Sequence, residues 1–496
     1  MLFNSMEFLI FFPIVVLIYF VIPHKIRYIW LLAASYFYYM CWNPKYAILM
    51  LLSTVITYLS GILISRANLV PNKLKAVKLK KLFVGFCFSS NLIILFFFKY
   101  FDFFISNINL VLRKFNFELL NPQFDIILPV GISFYTFQAL SYTMDIYREE
   151  LKPEKNFLKY ALFVSFFPQL VAGPIERSKN LIHQISERHY FEYNRVKNGL
   201  LLMLWGFVKK LIIADRLAIL VNQVYNNYHD YKGLVLILAT IFFSFQIYCD
   251  FSSYSDIASG AAQVMGFKLM DNFKQPYFSK SVAEFWRRWH ISLSTWFRDY
   301  LYIPLGGNRV SKLKGYFNIM VVFAVSGLWH GADWSFVMWG AMNGAYQIIG
   351  KELKFLFDKA ATIFKVNRES KLHILLKIIT TYLLICFSWI FFRADNFSMA
   401  IQVIKEMVME FNPWILTDGT LYQLGLDEKN FRLAIIGIII LLVFDYFNAK
   451  QDIRERLGSC HIVFRWSVYY LTIFSIIIFG VYGLGYDASQ FIYFQF

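Results

Sequence analysis

Apolar residues dominate this chain in runs too long for a soluble fold. They fall near residues 8–22, 28–42, 46–65, 82–98, 126–142, 157–175, 198–213, 232–267, 317–350, 373–392, 432–448 and 464–484, with polar connections between them. A helix that crosses a bilayer needs about 20 predominantly apolar residues, and the runs 232–267 and 317–350 are each long enough for a pair of helices. The pattern predicts an all-α, polytopic integral membrane protein with about 11 to 13 membrane-embedded helices and no soluble domain.

The polar residues refine this picture. Residues 1–7 hold no Lys or Arg. The connection after the first run holds Lys25 and Arg27, and the one after the third holds Arg66, Lys73, Lys75, Lys78, Lys80 and Lys81. Basic residues gather on the cytoplasmic side, so the N-terminus is expected outside, with Asn43, Pro44 and Lys45 forming an outer tight turn. The first run lacks the basic flank and small-residue cleavage site of a secretory signal and is expected to be a retained span. Segment 268–314 breaks the pattern: nine basic residues accompany Phe285, Trp286, Trp289, Trp296 and Phe297. That mixture predicts amphipathic helices at the inner interface, with rings among head groups and cations in water.

Composition agrees. The chain is 58% hydrophobic, 20% aromatic and 16% charged, against roughly 25% charged residues in soluble domains. The net charge of 49 − 32 = +17 is accounted for by cytoplasmic loops and anionic lipid head groups, so no nucleic-acid partner is implied. The five cysteines are scattered and suggest neither a disulfide framework nor a metal site.

Two histidines stand out as candidate chemistry. His330 lies in Val325-Ser326-Gly327-Leu328-Trp329-His330-Gly331, an apolar run where an ionisable side chain is costly. His290 closes Phe285-Trp286-Arg287-Arg288-Trp289-His290. A histidine at neutral pH can take a proton from a hydroxyl group. Asp250 and Asp256, in the polar stretch that separates two apolar halves of 232–267, have three roles open: orienting a histidine, holding a hydroxyl substrate, or capping the following helix. The chain has no G-x-S-x-G elbow, no P-loop and no H-E-x-x-H, which leaves serine-hydrolase, NTPase and zinc-protease chemistry without support. A transporter or exporter of a glycan precursor, with the carboxylates and arginines along its path, is the competing reading from another class.

Seven strings in order resemble the membrane-bound O-acyltransferase (MBOAT) family: Leu128-Pro-Val-Gly-Ile-Ser-Phe-Tyr135, Pro168-Gln-Leu-Val-Ala-Gly-Pro-Ile175, the Asp250 to Asp256 segment, Trp286-Arg-Arg-Trp-His290, Tyr302-Ile-Pro-Leu-Gly-Gly-Asn-Arg309, Leu328-Trp-His-Gly331 and Trp389-Ile-Phe-Phe-Arg-Ala394. The resemblance covers nearly the whole chain and points to the bacterial branch that acetylates polysaccharides such as alginate and peptidoglycan. Ser253 stands where that branch is expected to have Gly.

The resemblance implies one transmembrane domain over 1–496, with N-terminal helices in 1–125, a catalytic core in 126–394 and C-terminal helices in 395–496. It implies helices ringed about a thinned centre, and a cytoplasmic funnel leading to the histidines. His330 matches the family's essential histidine and His290 its second active-site position. The expected donor is acetyl-CoA, a substrate and not a bound cofactor, with Arg287, Arg288 and Arg298 on its phosphates and Trp286 beside them. Asp250, Asp256, Asn308 and Asn343 form a second group of polar candidates. The implied partners are membrane lipids, a polysaccharide acceptor, or an extracytoplasmic SGNH-hydrolase-like acetyltransferase, and the implied location is the bacterial cytoplasmic membrane. Teichoic-acid D-alanyl transfer is the alternative within the family.

Overall fold

The computed structural model describes residues 1–122, 128–482 and 491. Residues 126 and 127, which begin the predicted run 126–142, lie outside the described residues, as do the last two residues of run 464–484 and most of the chain beyond it. The described residues are helical, without a strand. They divide into two compact units, Met1–Leu200 with Ile257–Met270, and Leu201–Asp256 with Asp271–Phe496.

Among the described residues six helices are long and apolar enough to cross a membrane: Pro44–Ala67, Lys73–Lys114, Leu234–Met265, Lys371–Arg393, Glu428–Asn448 and Ile462–Phe479. Other predicted runs give shorter pieces, each for a visible reason. Run 8–22 gives Met6–Val21, of 16 residues. Run 157–175 gives only Phe157–Ser165, since Phe166 leaves the helical region and Pro168 disfavours helix at the residue before it. Run 317–350 divides into Lys312–His330 and Trp334–Glu352, as expected for a pair. Run 232–267 does not divide. It is one helix of 32 residues, and the polar stretch expected to interrupt it lies within that helix.

In the first unit, Ile132–Tyr147 is buried on almost every side, the mark of a helix enclosed by others. Gly61 allows a close crossing, for a Cβ there would stand 2.8 Å from the Tyr142 ring. Buried hydroxyls and amides bond between segments, as in Ser53 to Asn91 at 2.6 Å and Tyr160 to Thr57 at 2.7 Å. Asn43, expected in a turn, accepts from the Lys45 amide and starts the Pro44–Ala67 helix with Pro44 in its first turn.

In the second unit, Lys312–His330 and Trp334–Glu352 pack backbone to backbone. A Cβ at Gly327 would lie 2.2 Å from the Phe336 carbonyl oxygen, and one at Gly340 2.1 Å from that of Phe323. Neither site can carry a side chain, and the close approach fixes where the His330 end of the first helix sits. The rings of the Trp-rich segment turn into the protein, where head-group contact was expected of them. Phe285, Trp286, Trp289, Trp296 and Phe297 are all buried. The segment is folded into the short helices Val282–Arg288 and Ile291–Phe297, and its rings have protein neighbours.

Candidate active site

His290 stands between those two short helices. The first opens on Ser281, whose hydroxyl accepts from the Glu284 amide at 3.2 Å, while the Glu284 carboxylate accepts from the Lys280 amide at 2.9 Å and holds Arg288 at 2.6 Å. The chain then swings at His290 into the left-handed region, φ 43° and ψ 54°, at a cost of about 1–3 kcal/mol for a residue other than glycine. Asn272 secures this bend. Its Oδ1 accepts from the Ser292 amide at 3.2 Å, the Ser292 hydroxyl at 2.9 Å and His290 Nδ1 at 3.2 Å, while its Nδ2 donates to Ser255 at 3.0 Å.

This arrangement settles the tautomer. An oxygen that accepts from a backbone N–H cannot donate to Nδ1, so Nδ1 carries the hydrogen and Nε2 is the acceptor nitrogen of the neutral ring. His290 is fully buried (0% exposed), its ring T-shaped to that of Phe251 with centroids 4.6 Å apart. Burial pushes the imidazole well below its ordinary range and keeps it neutral.

His330 ends the Lys312–His330 helix and is 4% exposed. Its ring centroid lies 4.9 Å from that of Trp329, 5.0 Å from Trp339 and 5.4 Å from Phe392. It also lies 6.2 Å from the His290 ring. The structure thus brings together the two histidines picked out in sequence, inside an aromatic enclosure.

Trp286 and Asn343 belong to that enclosure. The Trp286 indole donates to Asn343 Oδ1 at 3.1 Å, and Asn343 Nδ2 donates to the Trp339 carbonyl at 2.9 Å. Trp339 stacks on Trp389 with centroids 5.6 Å apart and ring planes at 21°. Trp289 also touches Trp389, at 5.2 Å. The indole N–H groups of Trp339 and Trp389 are buried without a hydrogen-bond acceptor among the described residues, a state that costs about 1–3 kcal/mol for each such group.

Of the roles open to Asp250 and Asp256, helix capping is excluded. Both lie inside the Leu234–Met265 helix and cap nothing. Asp250 pairs with Lys210 at 2.6 Å, and Lys210 also reaches Asp215 at 2.8 Å. Asp256 pairs with Lys209 at 2.9 Å, and Lys209 donates to Ser252 at 2.7 Å. Both lysines come from the π-helical segment Val208–Ala214, a local widening common near functional sites. Because the carboxylates are paired there, the helix has no need to break. A cavity of about 570 Å³ opens beside this network, lined by Lys209, Ser252, Asp256, Trp205, Ile440 and Phe444 among others, and neither histidine lines it.

The remaining candidates lie apart from the histidines' immediate contacts. Arg287 is exposed, Arg288 is held by Glu284, and Arg298 is largely exposed and paired with Asp299 at 2.8 Å. Asn308 is exposed. The residues that sequence reasoning missed are Asn272, Lys209 and Lys210. Tandem lysines at the end of the apolar run 198–213 were the visible signal for the last two, whereas nothing local marks Asn272.

Comparison with known proteins places this geometry. Residues 147–392 match the model of the membrane-bound O-acyltransferase family. The chain is 36% identical over 462 residues to Probable alginate O-acetylase AlgI of Pseudomonas aeruginosa, covering 92% of this chain and 84% of that protein. It is 36% identical over 406 residues to Peptidoglycan O-acetyltransferase of Helicobacter pylori, covering 77% and 73%, and 27% identical over 291 residues to Teichoic acid D-alanyltransferase of Bacillus subtilis, covering 56% and 71%. With its membrane-spanning helices and two buried histidines side by side, the chain belongs to the membrane-bound O-acyltransferase family and is an O-acyltransferase.

Proposed function

We propose that this O-acyltransferase takes an acetyl group from cytoplasmic acetyl-CoA across a bacterial inner membrane, for O-acetylation of a cell-surface or extracellular polysaccharide. The alginate- and peptidoglycan-acetylating relatives support the acceptor class. The observation that carries the chemistry is the pair of buried histidines 6.2 Å apart.

His330 acts as general base. It takes the proton of an acceptor hydroxyl as the oxygen attacks the thioester carbonyl carbon, and returns it to the departing thiolate. His290 is the positioning partner. With Nδ1–H committed to Asn272, its Nε2 can only accept, which suits a second hydroxyl of the acceptor better than the acyl carbonyl. Arg287, Arg288 and Arg298 hold the phosphates of the donor, Arg288 and Arg298 by exchanging their present carboxylate partners for phosphate oxygens. The N-terminus faces outward, and an SGNH-hydrolase-like partner completes transfer to the polymer.

The test is release of thiol from acetyl-CoA by the full chain in lipid vesicles, with an alginate oligosaccharide and an SGNH-type acetyltransferase on the opposite face. His330→Ala removes the base and lowers the rate by about 100-fold or more, with insertion unchanged; wild-type turnover in that variant rejects the assignment. The teichoic-acid relative supports a second reading, D-alanyl transfer from a carrier-protein thioester. Turnover of that thioester, with acetyl-CoA inert, decides for it.

A further inference from the structure

The aromatic enclosure around His330 holds a contrast that the mechanism above does not use. Three tryptophans adjoin one another there. The Trp286 N–H has its acceptor in Asn343 at 3.1 Å. The N–H groups of Trp339 and Trp389 are as deeply buried, each residue being 1% exposed, and have no acceptor among the described residues. An indole N–H can only donate, and a buried tryptophan normally finds its N–H a partner. The group that completes these two residues must therefore bring an acceptor oxygen.

Their position indicates which oxygen. Trp339 is T-shaped to the His330 ring, centroids 5.0 Å apart at 86°, and stacks on Trp389 at 5.6 Å, so the two indole rings, whose N–H groups are both unpartnered among the described residues, form one wall beside the proposed base. His290 cannot polarise the acyl carbonyl, because its Nδ1–H is taken by Asn272 and its Nε2 is an acceptor. The carbonyl needs donors from elsewhere.

We propose that the indole N–H groups of Trp339 and Trp389 bind the acyl carbonyl oxygen of the thioester donor and stabilise the oxyanion that forms on it. The proposal rests on the acyl-transfer reading with His330 as base. The acceptor oxygen bonds to the carbonyl carbon, and the C=O π pair moves onto oxygen, where the two N–H groups receive it. The proton goes to His330. Re-forming the C=O bond expels the thiolate, which takes the proton back, leaving an O-acyl ester and a free thiol. Two donors fixed in a buried enclosure need no reorganisation as charge develops, which is the arrangement that stabilises an oxyanion most effectively.

The test replaces Trp339, and separately Trp389, with 3-benzothienylalanine, which keeps the fused ring and puts sulfur where the N–H was. The full chain in vesicles is assayed for thiol release from acetyl-CoA with an alginate oligosaccharide, beside Trp339→Phe, Trp389→Phe and His330→Ala. Loss of one oxyanion donor lowers kcat by about 100-fold. The expectation is that drop in each sulfur-substituted protein, with KM for acetyl-CoA within about twofold of wild type and an unchanged melting temperature. Wild-type kcat in both sulfur-substituted proteins overturns the proposal. The His330→Ala protein separates the two claims: if it is inactive while the sulfur-substituted proteins turn over normally, the donor assignment fails and the base reading stands. If it turns over normally, the base reading fails and the sulfur-substituted kcat values still decide the donors.

Discussion

Replacing Asn272 with Ala removes a side chain that touches no substrate in the proposed mechanism, yet its loss is expected to cost both stability and turnover. Three donors end on Asn272 Oδ1: the Ser292 amide, the Ser292 hydroxyl and His290 Nδ1–H. Each buried donor left without an acceptor costs about 1–3 kcal/mol, which sets a ceiling of about 9 kcal/mol. The deleted amide leaves room for about one water, and a water can accept from two neighbours. About 3 kcal/mol is then the expected loss. At roughly 2 °C per kcal/mol, the low end of the range for domains of about 150–250 residues, the thermal midpoint in detergent falls by about 6 °C. Turnover suffers separately, because the left-handed backbone at His290 and its Nδ1–H tautomer both depend on Asn272; a small misplacement of a reacting group can cost about 100-fold. Differential scanning fluorimetry and thiol release from acetyl-CoA measure the two effects on one preparation. An Asn272→Ala protein with wild-type midpoint and rate would refute the claim that this residue sets the His290 geometry.

Three further outcomes are expected. Folded His290 refuses a proton that the unfolded chain accepts near the ordinary histidine value of 6.5; the unfolded state then binds more protons below that pH, so stability falls as pH drops below about 6.5 and is level above it. Melting curves of wild type and His290→Asn between pH 5 and pH 8 check this, the variant showing the shallower slope. Asp250→Asn removes the carboxylate 2.6 Å from the buried Lys210 ammonium and lowers stability by about 3 kcal/mol, read as a fall in melting temperature. Gly340→Ala forces a Cβ to within 2.1 Å of the Phe323 carbonyl oxygen; the helix pair separates at a cost of about 1–3 kcal/mol or more, and activity falls because His330 ends one of those helices, whereas Gly350→Ala, where a Cβ meets nothing within 4 Å, leaves both measurements unchanged.

What was legible in the sequence followed from signals local to a residue and its neighbours. His330 and His290 are set in strings rich in Trp and Gly, so each was marked before any contact was known. The Lys312–His330 and Trp334–Glu352 pair was legible from the length of its apolar run and its glycines. The break expected at Asp250 to Asp256 is absent, because partners for that stretch, Lys209 and Lys210, lie some 40 residues earlier. A polar stretch looks like a break when its partners are out of sight, and once paired it continues as helix. The surroundings of the Trp-rich segment's rings were hidden for a similar reason. Composition cannot tell rings that face head groups from rings that face one another, and here Trp286, Trp289, Trp339 and Trp389 meet from three separate stretches of chain. Asn272 was invisible, since an isolated asparagine beside a basic loop carries no signal until the fold places it under His290.

The proposed acyl transfer from one side of a membrane to the other depends on His330. Vesicles holding the full chain, with radiolabelled acetyl-CoA on one face and an alginate oligosaccharide with an SGNH-type acetyltransferase sealed on the other, test it directly. The expected result is labelled acetyl ester on the sealed oligosaccharide with wild type and none with His330→Ala. Label that stays on the donor face with wild type, or that crosses equally well with His330→Ala, would contradict it.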